Sequence, residues 1–245
     1  MSKKFIYYGG IEAGLLPYLT AYWTADNIAT DVHVNNLGGA WSGTANYNTG
    51  INNNAFDFEN NSTIRYVEVP DNDLLSFTDG TNDVPFSISL WVYFYSFSPI
   101  GNWLVNKRDL SNISEYQLIF YQNQISFFKF SLGGNTNYIT TNTGYIPAFN
   151  QWVHLAYTDD GSEFGGKIYA NGIDITASHT ENGNYVRMIN GNHFMAVGIN
   201  SWSPSVSLKH RGMIDEVAIF KGTELTQLQV QDLYNGGVGK FYPNI

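Results

Sequence analysis

Cysteine is absent from the 245 residues, which excludes disulfides, cysteine-ligated zinc and thiol catalysis. Charge is scarce at 13%. The 12 Lys and Arg form no cluster, and the formal net charge is −9, so no basic face is available for nucleic acid. No apolar run approaches the ~18 residues that a membrane-crossing helix needs, so no membrane insertion is expected. The opening MSKKFIYYGGIEAGLLPYLT has two lysines but only a broken apolar stretch and no cleavage site, so no signal peptide is expected. An acidic surface of this kind is compatible with calcium, with neutral glycans, or with solubility alone.

What the chain does have is aromatic and apolar material: 17 Tyr, 16 Phe and 6 Trp within a 43% hydrophobic composition. Aromatics favour strands, and the frequent Asn favours tight turns with left-handed backbone. Residues 86–95, FSISLWVYFY, alternate without a break. Phe86, Ile88, Leu90, Val92 and Phe94 take one side, so the segment reads as a half-buried strand. Residues 103–107, 116–121 and 125–130 follow as short strands, the last two joined by a tight turn at 122–124. Residues 152–158 turn through Asp159, Asp160 and Gly161. Residues 167–170 and 173–176 then form a hairpin through Asn171-Gly172, the pair that a type I′ turn favours.

The segment around which the chain is organised is 212–237, GMIDEVAIFKGTELTQLQVQDLYNGG. Simple alternation places Ile214, Ala218 and Phe220 on one side of a strand and Met213, Val217 and Ile219 on the other. A strand apolar on both sides is buried on both. A helix follows, with Thr226 and Gln229 as a capping box, Val230, Leu233 and Tyr234 as its apolar side, and 235–237 as its stop. Residues 27–49 read as an Asn/Gly-rich loop and 19–31 as the opening strand and its turn.

Four of these segments resemble the laminin-G-like, concanavalin A-like jelly-roll family: LTAYWTAD, FSISLWV, WVHLAYTDDG with KIYANG, and GMIDEVAIF followed by LTQLQVQDLYNGG. The resemblance runs from Leu19 to Gly237. It implies an all-β, concanavalin A-like jelly-roll sandwich of two antiparallel sheets with one short C-terminal helix. The domain is expected over 18–245, preceded by an extension over 1–17 whose apolar FIYY favours docking over a free leader. The resemblance also implies a structural calcium ion held between the loop after the first strand and the closing strand, at Asp26 and Asp215 with Asp31 nearby. The alternative for Asp215 is to accept hydrogen bonds from turn backbone. Trp23, Trp91 and Trp152 match core positions of the family, and His154 matches a position that supports the fold.

Glycan sites combine an aromatic platform with amide or carboxylate partners at a loop rim. Trp202 and Asn200 lie in the loop 200–209, where no strand pattern calls for a tryptophan; Trp103 and Trp41 occupy comparable loop-edge settings. Packing over the sandwich edge is the competing role for Trp202. Glycoside hydrolysis needs two facing carboxyls. Asp57 and Glu59 are the only strand-spaced mixed pair and read as a solvated strand side, while the five His lack an evident Ser or metal partner. The expected function is therefore non-enzymatic carbohydrate binding or adhesion to a glycan-bearing surface. The alternative is a structural or host-attachment protein of a virion, self-assembled or anchored through 1–17.

Overall fold

A computed structural model describes residues 14–59, 61–108, 114–132, 135–141, 145 and 147–245. The first thirteen residues of the expected extension, including its FIYY run, lie outside the described residues. In chain order the strands are β1 (Ala21–Trp23), β2 (Ala40–Ser42), β3 (Tyr47–Thr49), β4 (Asn54–Asp57), β5 (Tyr66–Val69), β6 (Phe86–Phe94), β7 (Asn102–Lys107) and β8 (Tyr116–Tyr121). They continue as β9 (Gln124–Phe130), β10 (Thr136–Thr141), β11 (Trp152–Asp159), β12 (Lys167–Ala170), β13 (Ile173–Asp174), β14 (Thr176–Asn182), β15 (Met195–Val197) and β16 (Gly212–Lys221). One helix, α1 (Gln227–Tyr234), closes the fold.

The strands form two antiparallel sheets. The first runs β13-β12-β11-β6-β16-β4-β3, with β1 also on β16; the second runs β14-β10-β9-β8-β7-β15-β5-β2. Their facing sides make one core. Phe86, Ile88, Leu90, Val92 and Phe94 of β6 are all 0% exposed and meet Leu118, Phe120 and Phe127 of the second sheet. The alternation of β6 is thus expressed as expected. The outer face of the first sheet is covered as well, because Tyr22, Ala156, Tyr169, Ala218 and Phe220 pack with Val230 and Leu233 of α1. Burial on both faces explains why β16 is apolar on both sides.

Sequence alternation fails at one point in β16. Glu216 has φ +52 and the register against β6 shifts between Asp215 and Ala218. The extra residue is a β-bulge, and it turns Ile214 onto the core side with Val217 and Ile219, leaving Ala218 and Phe220 beneath α1. The stretch read as a loop over 27–49 contains β2 and β3. They are three-residue strands that pair with β5 and β4 at the sheet ends, too short to show a period in sequence. The polar edge strand β14 likewise has no apolar pattern. The local devices hold: Asn171 (φ +51) and Gly172 (φ +75) form the I′ turn, and the Thr226–Gln229 capping box is complete, with Asn235 left-handed at the C-cap.

Candidate functional site

The second sheet turns its other side to solvent. On β8, Tyr116, Leu118 and Phe120 enter the core, so Gln117, Ile119 and Tyr121 fall on the outer face. Register places Gln117 opposite Phe128 of β9, Ile119 opposite Trp103 of β7, and Phe128 opposite Tyr138 of β10. Phe128 stacks on Tyr138 with centroids 4.8 Å apart. The turn after β15 folds back over this face. Asn200, Trp202, Trp103, Arg108, Gln117 and Phe128 are among the residues that enclose a pocket of about 290 Å³ there.

The pocket is held by buried hydrogen bonds. Asn106, fully buried, donates to Ile199 O at 2.5 Å and accepts from Ser201 N at 2.9 Å and Ser201 Oγ at 2.6 Å. Ser201 Oγ accepts in turn from Arg108 N at 3.0 Å. The end of β7 and the 200–202 turn are thereby tied together, which fixes Arg108 against Trp202. The guanidinium lies 5.3 Å from the Trp202 ring and 4.6 Å from Phe130, within cation–π range. Its Nη1 donates to Gln117 Oε1 at 2.7 Å and its Nε to Ser114 Oγ at 3.2 Å. Trp103 Nε1 donates to the same Gln117 oxygen at 3.3 Å. Burial lowers the Arg108 pKa to about 10.

The structure therefore brings three of the four expected sugar-contacting residues together. Trp202 is 41% exposed, while Trp103 is 6% exposed and forms the pocket wall. Trp41 is not with them. It sits in β2 at the opposite end of the sheet, packed edge-on against Tyr47 and Phe56, beside a separate depression that Glu68 and Pro70 also line. Arg108 and Gln117 were not singled out in the sequence; the one available sign was a glutamine inside the otherwise apolar YQLIFY. Among the core tryptophans, Trp23 and Trp91 are buried. Trp152 is only half-buried, edge-on to Tyr93.

The three acids implied as calcium ligands divide differently. Asp31 is spent on its own loop, accepting from Tyr22 N, His33 N and Leu37 N at 2.8–2.9 Å. Asp26 and Asp215 grip one turn from two sides. Asp215 accepts from Ile51 N and Asn52 N at 3.0 and 3.3 Å, and Asp26 from Asn54 N at 3.0 Å. Burial and the neighbouring Glu216 push the Asp215 carboxyl well above the usual carboxylate range. Glu216 Oε1 accepts from Asn52 Nδ2 at 2.8 Å, and the Tyr22 hydroxyl also interacts with this carboxyl, whose pKa burial raises to about 7. The donor set is oxygen-only, as calcium requires. No group of three or more His, Cys, Asp or Glu among the described residues is placed to hold a metal by itself, so loop carbonyls would have to supply much of the shell.

Two arrangements bear on catalysis. Of the pair Asp57 and Glu59, expected to be solvated, Asp57 is not: it is 5% exposed and accepts from Asn48 Nδ2 and Glu59 N, while the Glu59 side chain is half-buried. Glu59 pairs with Arg65 at 3.4 Å. The expectation that no His has a Ser partner is also corrected, since Ser89 Oγ lies 2.8 Å from His154 Nε2. The two are 4% and 1% exposed, His154 Nδ1 has no partner, and burial lowers the ring's pKa to about 3. A serine nucleophile needs an oriented base and access to substrate; this pair has neither and supports the packing beneath α1. Among the described residues no helix is long and apolar enough to cross a membrane.

Residues 61–231 match the model of a family described as the concanavalin A-like lectin/glucanases superfamily. No curated protein matches the chain. Similar solved structures include domain 4 of AbnA, a GH43 extracellular arabinanase from Geobacillus stearothermophilus, in complex with arabinotriose. Identity is 24%, coverage 87% of this chain and 97% of that one, and the TM-score 0.63. The binding domain of Paraclostridial Mosquitocidal Protein 1 aligns at 17% identity over 90% and 52% of the two chains, with a TM-score of 0.68. The ligand binding domain of botulinum neurotoxin serotype D, in complex with N-acetylneuraminic acid, aligns at 14% over 91% and 52%, with a TM-score of 0.65. The chain spans about half the length of the two toxin domains. At these identities the likeness is one of fold.

Proposed function

This chain belongs to the concanavalin A-like lectin/glucanases superfamily, and from that premise we propose that it is a non-enzymatic carbohydrate-binding module whose ligand lies in the Trp202 pocket. The observation that carries the reading is the convergence of Trp202, Trp103 and Asn200 on one pocket of the outer sheet face, where Gln117 and Arg108 join them. A partly exposed indole offers a flat apolar surface to a sugar ring, and amides at the rim hydrogen-bond its hydroxyls. None of the residues lining the pocket is an Asp, Glu or His; a glycosidase needs two carboxyls at the scissile bond. Similar folds in complex with arabinotriose and with N-acetylneuraminic acid support the same ligand class, and an extracellular or surface setting is consistent with it.

For calcium, implied by the family resemblance, we propose Asp26 and Asp215 as the carboxylates, with loop carbonyls supplying the rest of the shell. The virion reading draws on the absence of cysteine and of a signal peptide, on the single uninterrupted module and on residues 1–17, most of which lie outside the described residues; no structural observation supports it. A glycan array probed with the wild-type chain and with Trp202→Ala tests the sugar reading. Binding by the first and its loss in a still-folded second is the expected result. Trp202→Ala that binds as well as wild type removes the pocket from the proposal, and an array with no hits removes the function.

A further inference from the structure

The polar groups of the Trp202 pocket share one property. Gln117 Oε1 already accepts from Arg108 Nη1 and Trp103 Nε1. Asn200 Oδ1 accepts from Trp202 N at 3.0 Å. The Tyr121 oxygen accepts from Gln122 Nε2 at 3.1 Å. Gln117 Oε1 thus accepts two hydrogen bonds inside the protein, and Asn200 Oδ1 and the Tyr121 oxygen one each. The donors among the pocket residues are the amide NH2 groups of Gln117 and Asn200, the Tyr121 hydroxyl and the N–H groups of Arg108.

The buried and half-buried cations differ in their partners, and Lys209 donates to the Phe58 and Thr63 carbonyls. Lys107 is paired with Glu115 and Asp71, and Lys129 with Asp159 and Asp83. Arg108 has no carboxylate partner among the described residues, in a chain with 21 acidic and 12 basic side chains. Its immediate contacts are two aromatic rings, a serine and a glutamine. A half-buried guanidinium in a pocket lined by no Asp or Glu can receive an anion there, and its planar fork matches a carboxylate. The net charge of −9 opposes an anion at long range. That field is screened within about 10 Å at moderate salt, whereas a contact inside the pocket is not.

We infer that the pocket selects an acidic sugar, a uronate or sialate residue whose carboxylate is taken by Arg108 while its ring lies against Trp202. The inference rests on the pocket being a glycan site, and it adds the charge of the ligand to that reading. A carboxylate accepts only and carries the charge that the Arg108 guanidinium complements, whereas the hydroxyls of a neutral sugar are uncharged and both donate and accept.

The test is calorimetric titration of the full chain with two matched pairs, sialyllactose against lactose and trigalacturonate against its methyl ester. At least one acidic member should bind about tenfold or more tightly than its neutral partner, as expected for a charge-assisted hydrogen-bonded pair. Arg108→Gln, which keeps a polar side chain beside Gln117, should abolish that margin and leave weak binding to the neutral member. Equal affinity within both pairs, or a loss in Arg108→Gln that falls equally on acidic and neutral sugars, overturns the inference and leaves the glycan site standing. Absence of binding to all four ligands, joined to an empty glycan array, overturns both. Should Arg108→Gln fail to fold, the methyl ester on wild-type protein decides the matter alone.

Discussion

Lys129→Met is the sharpest probe of how this sandwich tolerates charge in its interior. Lys129 is 2% exposed, 3.1 Å from Asp159 Oδ2 and 3.5 Å from Asp83 Oδ2, and donates to Ser162 O at 2.9 Å. Methionine keeps most of the aliphatic stem and removes only the cation, stranding two carboxylates that are 0% and 3% exposed. Breaking one side of a buried ion pair costs about 3–5 kcal/mol. Tyr157 O–H and Gly161 N–H still donate to Asp159, and Tyr185 O–H and Met188 N–H to Asp83, so the lower end, about 3 kcal/mol, is expected. That is a large share of a domain stability of roughly 5–15 kcal/mol. Burial already holds the Asp159 carboxyl above its usual range, and the Lys129 charge works against that rise. Without Lys129 it rises further. A carboxyl whose folded pKa exceeds its unfolded value, about 3.9, binds protons more readily in the folded chain. The deficit is therefore full above the folded pKa and shrinks as pH falls toward the unfolded one. Urea unfolding of variant and wild type at pH 7.5 and pH 5 reads this directly. A variant within about 1 kcal/mol of wild type at pH 7.5, or a deficit identical at both pH values, refutes the reasoning. Adding Asp159→Asn should recover part of the loss.

Further predictions follow from single sites. Asn171→Ala should cost about 1–2 kcal/mol, because Asn171 holds φ +51 and its Oδ1 accepts from His154 N at 3.0 Å; urea unfolding with no change in midpoint would contradict it. Burial lowers the pKa of His154 to about 3 and of His210 to about 4. Both lie below the unfolded value near 6.5, so their contribution is present above that pH and is lost as pH falls through it. Each should cost about 2 kcal/mol between pH 7 and pH 5, and His210→Gln should lower proton uptake on unfolding in that window by about one. A slope unchanged in the variant would disprove the assignment. Millimolar calcium should raise the melting temperature and chelator should lower it if Asp26 and Asp215 share a cation; an indifferent melting curve assigns both acids to the 51–54 turn alone. Trp202→Ala should cost far less stability than Trp23→Ala, since Trp23 is 0% exposed and Trp202 41% and truncating a fully buried tryptophan costs about 3–5 kcal/mol.

The sequence by itself determined whatever depends on neighbours in the chain. The period-two pattern of residues 86–94, the Asn171-Gly172 hairpin, the Thr226–Gln229 capping box and the helix stop at Asn235 all appear where the local pattern places them. Each is set by interactions spanning a few residues, so a short window carries the whole signal. Tertiary structure decided the rest. The bulge at Glu216 puts Ile214 and Ala218 on opposite faces, because pairing with β6 and β4 and burial beneath α1 must be met at once. Asp57 is enclosed because β3, invisible as a strand in sequence, packs beside β4 on one side and β16 pairs with it on the other. Trp202 and Trp103 read alike with Trp41 in one dimension, yet the order β8-β7-β15 gathers the first two and leaves Trp41 at the far end of the sheet. Arg108 and Gln117 acquire a role only when β7, β8 and the 200–202 turn converge, Arg108 and Trp202 lying 94 residues apart along the chain. A pocket built from such distant pieces has no local pattern to read, since its geometry is a property of strand order and not of any one strand.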